Sequence, residues 1–332
     1  MSLILGIETS CDETGIAVVQ DGVTVLTNVV SSQIDKHRLF GGVVPEIASR
    51  MHTEIISQLT EQALNEAGLN DKTPPVDAIA ATFGPGLMGS LLVGISFGRA
   101  LAHAWKIPFV PVHHIEGHLF GAFLGEKRPK FPYLALVVSG GHTQIIQCDK
   151  PHHYQILAST RDDAVGECFD KAARLLGLPY PGGPSIQKVA ETGNEKAYDL
   201  PRGLAAKDTL DFSYSGLKTA VLYLLREHPD APVADVAASF QRAAVDALIQ
   251  KTARAIELSG IHRLVIAGGV AANKCLRQSA AQLDAELYLP PFVYCLDNGA
   301  MIAAAAHSRM QHGCTLPHDT PAAASLPLVS AE

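Results

Sequence analysis

Twice in this chain a short apolar segment is followed by a polar loop, a second apolar segment, a turn and a third, and this repeat restricts the fold more than any other feature. In the first copy residues 3–8 are apolar, residues 9–14 form a hydroxyl- and acid-rich loop, and residues 15–20 are apolar again. Asp21-Gly22 then marks a tight hairpin, since these residue types tolerate the positive φ such turns require, and residues 23–30 supply a third strand. About 130 residues later the same grammar returns, the mark of an internal duplication. There residues 133–138 read as a strand, Ser139-Gly140-Gly141-His142-Thr143 as the loop, 144–148 as the second strand and 153–159 as the third. Each triplet leads into an amphipathic helix, over 47–68 and 166–176. Two strand–glycine-loop–helix units add to these. Residues 78–82 run into Phe83-Gly84-Pro85-Gly86 and a helix over 87–105, and residues 263–267 run into Gly268-Gly269-Val270 and a helix from Ala272.

Such a pattern predicts an α/β protein. Its two halves resemble the duplicated actin/sugar kinase/heat-shock ATPase-like fold, which implies two lobes with a central nucleotide cleft. Glycine turns expose backbone N–H groups and helix N-termini add partial positive charge, so phosphate can be held there without many lysines. On this grammar residues 1–110 form the N-terminal lobe, 111–132 a metal-binding helix and inter-lobe connection, and 133–312 the C-terminal lobe. Residues 313–332 lack usable periodicity and are expected to be a poorly ordered tail.

Val112-His113-His114-Ile115-Glu116-Gly117-His118 reads as helix after Pro111. There His114 and His118 fall one turn apart on one face, where they can share a transition-metal ion. The spacing alone is also met by histidines that are merely hydrogen-bonded on a surface or in a core. A zinc protease of the HExxH type needs its general-base glutamate directly after the first histidine. Ile115 stands there instead, and Glu116, one residue late, points about 100° away from the required direction.

The rest of the composition narrows the function class. At 332 residues and 47% hydrophobic content the chain can bury a large core, and no apolar run reaches the length of a membrane span. Residues 1–5 enter a strand without a basic leader segment, and Cys11, Cys148, Cys168, Cys275, Cys295 and Cys314 form no Cys-x-x-Cys pair. Reduced thiols and a cytoplasmic location are expected. A net charge of −7 is the wrong sign for gripping nucleic acid with the whole surface, so any RNA contact must be local or shared with a partner.

Several motifs then resemble one family, in order and with matching spacing over roughly residues 3 to 313. They are Gly6-Ile7-Glu8-Thr9-Ser10-Cys11-Asp12-Glu13-Thr14, Gly41-Gly42-Val43-Val44-Pro45-Glu46, Gly84-Pro85-Gly86-Leu87, residues 112–118, Val138-Ser139-Gly140-Gly141-His142-Thr143, and Phe169-Asp170-Lys171. Tyr180-Pro181-Gly182-Gly183-Pro184, the run from Phe212 to Thr219, and Asp297-Asn298-Gly299-Ala300 complete the set. The chain resembles the bacterial tRNA N6-adenosine threonylcarbamoyltransferases (TsaD). The resemblance implies transfer of a threonylcarbamoyl group from threonylcarbamoyl-AMP to the exocyclic amine of adenosine at tRNA position 37. It implies one divalent metal ion per subunit, Fe2+ or Zn2+, on His114, His118 and Asp297. It also implies an adenylate site of Val137, Val138, Ser139, Gly140, Gly141, Asp170, Gly183 and Asn273. Partners implied are tRNA, a TsaB-like inactive paralogue and a TsaE-like ATPase. Asp12 and Glu13, with Glu8, are candidate general bases; acids in such a loop also cap turn amides. Lys218, Arg202 and Lys207 are candidate RNA contacts, solvated loop charge being the other reading.

Where many bacterial relatives carry an acid a few residues past Gly183, this chain has Ser185 and Gln187, and its C-terminus is an Ala/Pro/Leu stretch rather than basic. Two other function classes stay open at this point: an ATP-dependent kinase or ATPase of the same fold, and a non-catalytic scaffold.

Overall fold

The computed structural model describes residues 1–69, 74–204 and 209–331. Its first half runs β1 (Leu3–Glu8), β2 (Glu13–Gln20), β3 (Thr24–Ser32), α1 (Ile34–Arg38), α2 (Pro45–Glu66), β4 (Ala78–Gly84), α3 (Met88–Trp105), β5 (Phe109–His113) and α4 (His114–Gly121). The second runs β6 (Tyr133–Val138), β7 (Thr143–Lys150), β8 (His153–Ser159), α5 (Val165–Leu175), α6 (Gly182–Ala190), α7 (Ser215–Glu227), α8 (Val233–Ser259), β9 (Arg263–Ala267), α9 (Lys274–Ala280), β10 (Glu286–Tyr288) and α10 (Gly299–Gln311). No described helix is long and apolar enough to cross a membrane.

Among the described residues the strands form two five-stranded sheets, ordered β3-β2-β1-β4-β5 and β10-β9-β6-β7-β8. Read from opposite edges the orders coincide, with β6 in the place of β1 and β9 in the place of β4, so the repeated grammar is a structural duplication. The Asp21-Gly22 hairpin forms as its residue types dictate, with φ of 52° and 71° and the Val23 N–H donating to Gln20 O at 3.2 Å.

The chain packs as two compact units, one of residues 1–129, 150–154 and 290–332, the other of 130–149 and 155–289. Central strands β1, β4 and β6 are buried along nearly their whole length because both faces are covered. On one face of the first sheet Leu5, Ile7, Ile16, Val18 and Ile79 pack with Ile56 and Leu59 of α2 and Ile95 of α3. On the other, Ile4, Ala17, Val19, Ala78 and Val110 pack against the run Ala300–Ala306 of α10. The sequence division assigns α10 to the second half; in the structure it lies on β1 and β2 of the first.

Glycines set how closely α10 approaches. A Cβ on Gly6 would stand 2.1 Å from Gly299 O, and one on Gly299 would stand 2.5 Å from the Ala17 backbone nitrogen. The described residues 313–331 carry no helix or strand, yet they are tied along this unit: Ala323 N–H donates to Phe83 O at 2.9 Å and Gly86 N–H to Ala324 O at 3.1 Å.

Two boundaries near the expected sites differ from the sequence reading. Residues 112 and 113, expected to open a helix after Pro111, instead close the fully buried strand β5. Pro111 is tolerated because β5 is an edge strand, where a missing N–H costs no ladder bond. The helix expected from Ala272 starts at Lys274, after a 3-10 turn over Gly269–Ala272, because the Asn273 side chain caps it by accepting from Leu276 N–H at 2.9 Å. In the second unit α7 has no cap from its own N-cap residue. Asp162 does the work from a distance, accepting from Ser213 Oγ at 2.5 Å, Tyr214 N–H at 2.7 Å, and Ser215 N–H and Oγ at 3.2 and 2.7 Å.

Two outcomes are expected. Gly299→Ala forces a methyl into backbone and should lower unfolding stability by about 1–3 kcal/mol or more; an unchanged urea midpoint would refute the close approach. Burial opposes the Asp162 charge, but its hydrogen bonds from Ser213, Tyr214 and Ser215 hold its carboxyl below the usual range. A depressed folded value contributes stability above the unfolded pKa of about 3.9 and loses it as pH falls through the folded value. The stability gap between wild type and Asp162→Ala should therefore be constant above about pH 5 and shrink in more acidic solution; a gap independent of pH contradicts the capping role.

Candidate metal centre and glycine-rich loops

α4 starts at His114 because His113 caps it. His113 Nδ1 accepts from the Ile115 N–H at 3.2 Å, and its Nε2–H donates to Leu326 O at 3.3 Å. Burial, opposed by the Glu116 charge, pushes His113 down to about 4, so it stays neutral as this bonding requires. From this start His114 and His118 project from one face with ring centroids 4.6 Å apart.

Asp297 meets them from the segment before α10. Its Oδ1 lies 3.3 Å from His118 Nε2 and 3.8 Å from His114 Nε2, and one ligand atom from each of the three residues lies within 4.8 Å of the others. Asn298 fixes that segment: its Oδ1 accepts from Met301 N–H at 3.0 Å, capping α10, and its Nδ2 donates to Leu296 O at 2.7 Å.

The donor set fits a metal ion. His118 is 1% exposed, and neither of its ring nitrogens has a hydrogen-bond partner. A buried imidazole left in that state is costly unless a cation takes the lone pair. His114 differs in having its far nitrogen held, with Nδ1 3.1 Å from Glu8 Oε2 and 3.2 Å from Ser10 Oγ. Glu8 is fully buried and also accepts from Thr82 Oγ1 and from the Ser10 N–H, both at 2.6 Å. That carboxylate–imidazole contact fixes the ring so that Nε2 faces Asp297. With its oxygens so engaged, Glu8 orients His114 and is not placed as a base. Burial opposes charge on His114, but Asp297 and then Glu8 outweigh it and push the imidazole up to about 9. A metal ion binding there displaces that proton.

Asp12 and Glu13 lie in the same unit, at the end of the loop that follows Glu8. Asp12 is buried and its carbonyl accepts from Gln33 N–H at 3.0 Å; Glu13 opens β2 and accepts from Ser32 Oγ at 3.3 Å. Burial raises the Glu13 carboxyl, and the charges of Asp12 and Asp297 raise it further. Glu8, Asp12, Glu13 and Asp297 thus bring carboxyls together where a bound cation would relieve the repulsion that helps keep Glu13 protonated.

Glu116, by contrast, faces away from the triad. Its carboxylate accepts from Arg309 Nε and Nη2 at 2.6 and 3.0 Å, from His152 Nδ1 at 2.7 Å and from the Tyr154 hydroxyl at 2.8 Å. It is not available as a hydrolytic base.

In the second unit the expected adenylate residues are linked by a circuit of contacts. Val137 and Val138 end β6; the loop after them is closed by Ser139 N–H to His142 O at 2.8 Å, and Gly166 N–H at the start of α5 donates to Ser139 O at 3.2 Å. On the same helix Asp170 accepts from Gly182 N–H at 2.7 Å, which seats α6. Gln187 of α6 accepts from Lys274 N–H at 2.7 Å beside Asn273, and Gly268 packs on Val138 O. Gln187 therefore holds α6 to the start of α9. A Cβ added at Gly140, Gly141 or Gly183 would meet nothing within 4 Å, so those glycines border open space.

Of the expected RNA contacts, Arg202 pairs with Asp246 and Asp199, both at 3.0 Å, and Lys218 lies 3.8 Å from Asp163. Lys207 lies outside the described residues. Sequence reasoning missed Ser10, the cap by His113, the brace of Asn298 and the partners of Glu116; only the polar character of residues 9–14 pointed at the first.

Comparison with known proteins identifies the family and the fold. A sequence profile described as tRNA N6-adenosine threonylcarbamoyltransferase (TsaD) matches residues 24–304. A protein of that name from Caldicellulosiruptor saccharolyticus is 51% identical over 337 residues, covering 99% of both chains, and one from Kosmotoga olearia is 48% identical over 331 residues, covering 98% of this chain and 99% of its own. Among solved structures, HypF from T. kodakarensis matches with a TM-score of 0.61 at 14% identity, over 94% of this chain and 48% of its own. Component A of the (R)-2-hydroxyglutaryl-CoA dehydratase of Acidaminococcus fermentans matches at 0.57 and 15%, over 94% and 100%. These distant likenesses establish the actin-like ATPase fold expected from the duplicated strands. By its own sequence, at about half identity across nearly its whole length, the chain belongs to the tRNA N6-adenosine threonylcarbamoyltransferase family.

Proposed function

We propose that this protein forms threonylcarbamoyladenosine at position 37 of tRNAs that read codons beginning with adenine, taking the acyl group from threonylcarbamoyl-AMP. The observation that carries this reading is a complete His114–His118–Asp297 set, one imidazole orphaned and the other braced by Glu8, in a chain of this family. A kinase or ATPase of the same fold does not require such a set.

The acyl group arrives activated as a mixed anhydride, and the aromatic amine is a weak nucleophile, so catalysis is mostly positioning and charge stabilisation. The exocyclic nitrogen attacks the carbamoyl carbon, the new C–N bond forms as the C–O bond to phosphate breaks, AMP departs and the amine loses a proton. Val137, Val138, Ser139, Gly140 and Gly141, with Asp170, Gly183 and Asn273, border the adenylate. The three loop glycines leave it room, and backbone N–H groups meet the departing phosphate. His114, His118 and Asp297 hold one Fe2+ or Zn2+, which supplies Lewis-acid stabilisation of an oxygen when bound. Asp12 or Glu13 would take the amine proton, Glu13 only after releasing the proton that burial and the neighbouring charges hold on it. With a net charge of −7, the chain grips tRNA together with a TsaB-like paralogue and a TsaE-like ATPase.

The test is transfer of labelled threonylcarbamoyl from its adenylate to tRNA, read as modified nucleoside by mass spectrometry with those partners present. His114→Ala should lower the single-turnover rate at least about 100-fold. Asp12→Ala and Glu13→Gln should each slow it by about 10²-fold or more. Full activity in Asp12→Ala removes that residue from the base role; no product from wild type, beside hydrolysis of ATP that His114→Ala leaves intact, returns the ATPase reading.

A further inference from the structure

Glu116 stands midway between His114 and His118 on α4 and is fully buried. At 100° per residue it points nearly opposite to both, into α10. There Arg309 meets it with two nearly parallel N–H bonds, His152 and Tyr154 add one each, and His152 Nε2 lies 2.9 Å from Ser308 Oγ. A buried pair of this kind adds little net stability over an apolar pair of equal volume; what it supplies is direction.

Direction is what this helix needs. α4 crosses α10 closely at Gly117, where a Cβ would stand 2.7 Å from Ile302 Cδ1. A helix pinned at one crossing can still roll about its own axis. With an imidazole nitrogen roughly 6 Å off that axis, a roll of about 15° moves it by about 1.5 Å. Metal–ligand distances tolerate only about 0.2 Å. α10 also carries, just before its first turn, the third ligand Asp297, so one clamp between the helices governs how all three ligands meet.

We infer that Glu116, held by Arg309, His152 and Tyr154, is a positioning residue that sets the roll of α4 and thereby the affinity and geometry of the metal centre. The inference rests on the metal-binding reading of His114, His118 and Asp297. Its test is Co2+ binding to the full chain, with affinity from chelator competition and geometry from the visible d–d bands. Glu116→Gln keeps shape and loses charge; it should weaken Co2+ binding about 10–100-fold and alter the bands. Leu59→Ala, on the opposite face of the first sheet, should lower stability and leave both readouts unchanged. Wild-type affinity and bands in folded Glu116→Gln overturn the inference. Should that variant fail to fold, Tyr154→Phe deletes one hydrogen bond and no charge: a weakening of about threefold supports the clamp, and none overturns it. Co2+ binding by wild type that His114→Ala leaves unaltered would instead refute the metal-binding reading itself.

Discussion

The seating of α10 against the backbone of β1 and β2 is the contact on which the rest of the first unit depends. A helix normally packs about 10 Å from a sheet because side chains intervene; here Gly6, Gly15 and Gly299 remove them at the helix N-terminus, and the run Ala300–Ala306 keeps the approach close along its length. Three consequences follow from one geometric fact. The apolar face of the sheet is sealed, the N-terminus of α10 is driven down beside the loop after β1, and Asp297, one residue before the cap Asn298, arrives within reach of the histidines on α4. No flexible side chain is asked to span the distance.

Charge is distributed to suit that arrangement. Around the triad the chain gathers the carboxyls of Glu8, Asp12, Glu13 and Asp297 against two imidazoles, a largely buried setting in which Glu13 and His114 hold protons that a bound metal cation would replace. The clamp behind α4 is the reverse case: Glu116 and Arg309 neutralise each other where no ligand enters. Ser139 to Gly141 and Gly183 present backbone and empty space, the provision appropriate to a group that brings its own negative charge.

Most of the scaffold is legible in the sequence because it is local. Short apolar segments, the Asp21-Gly22 turn and the glycine loops each act over a few residues, and the repeated pattern announces the duplicated sheet. The His114–His118 pair is legible for the same reason. Asp297 is not: it is read only through family resemblance, since the glycines that bring it to α4 lie on other elements and their purpose appears only when the backbones meet. The extent of α4 was misplaced at Pro111 because a fully apolar stretch does not distinguish a buried edge strand from a helix, and the tie-breaker was the cap supplied by His113. Glu116 is the sharpest case. Its spacing excludes it from protease chemistry, but nothing local reveals Arg309, His152 and Tyr154, which reach it from far along the chain.

Duplication also accounts for where the ligands come from. In each sheet the fifth strand, β5 or β10, ends at an equivalent place in the topology. After β5 the chain turns directly into α4 and delivers His114 and His118; after β10 it passes through a 3-10 turn at Phe292–Tyr294 and delivers Asp297 at the threshold of α10. The two copies of one connection have thus diverged into complementary halves of a single centre, two neutral donors from a helix and one anionic donor from a capped loop. A mixed set of this composition leaves coordination positions open for an oxygen ligand, whereas two identical copies of either connection would have given four imidazoles or two carboxylates. Asymmetry between the repeats is therefore a condition of the chemistry, and the seating of α10 on the sheet of the first repeat is what lets the two contributions meet.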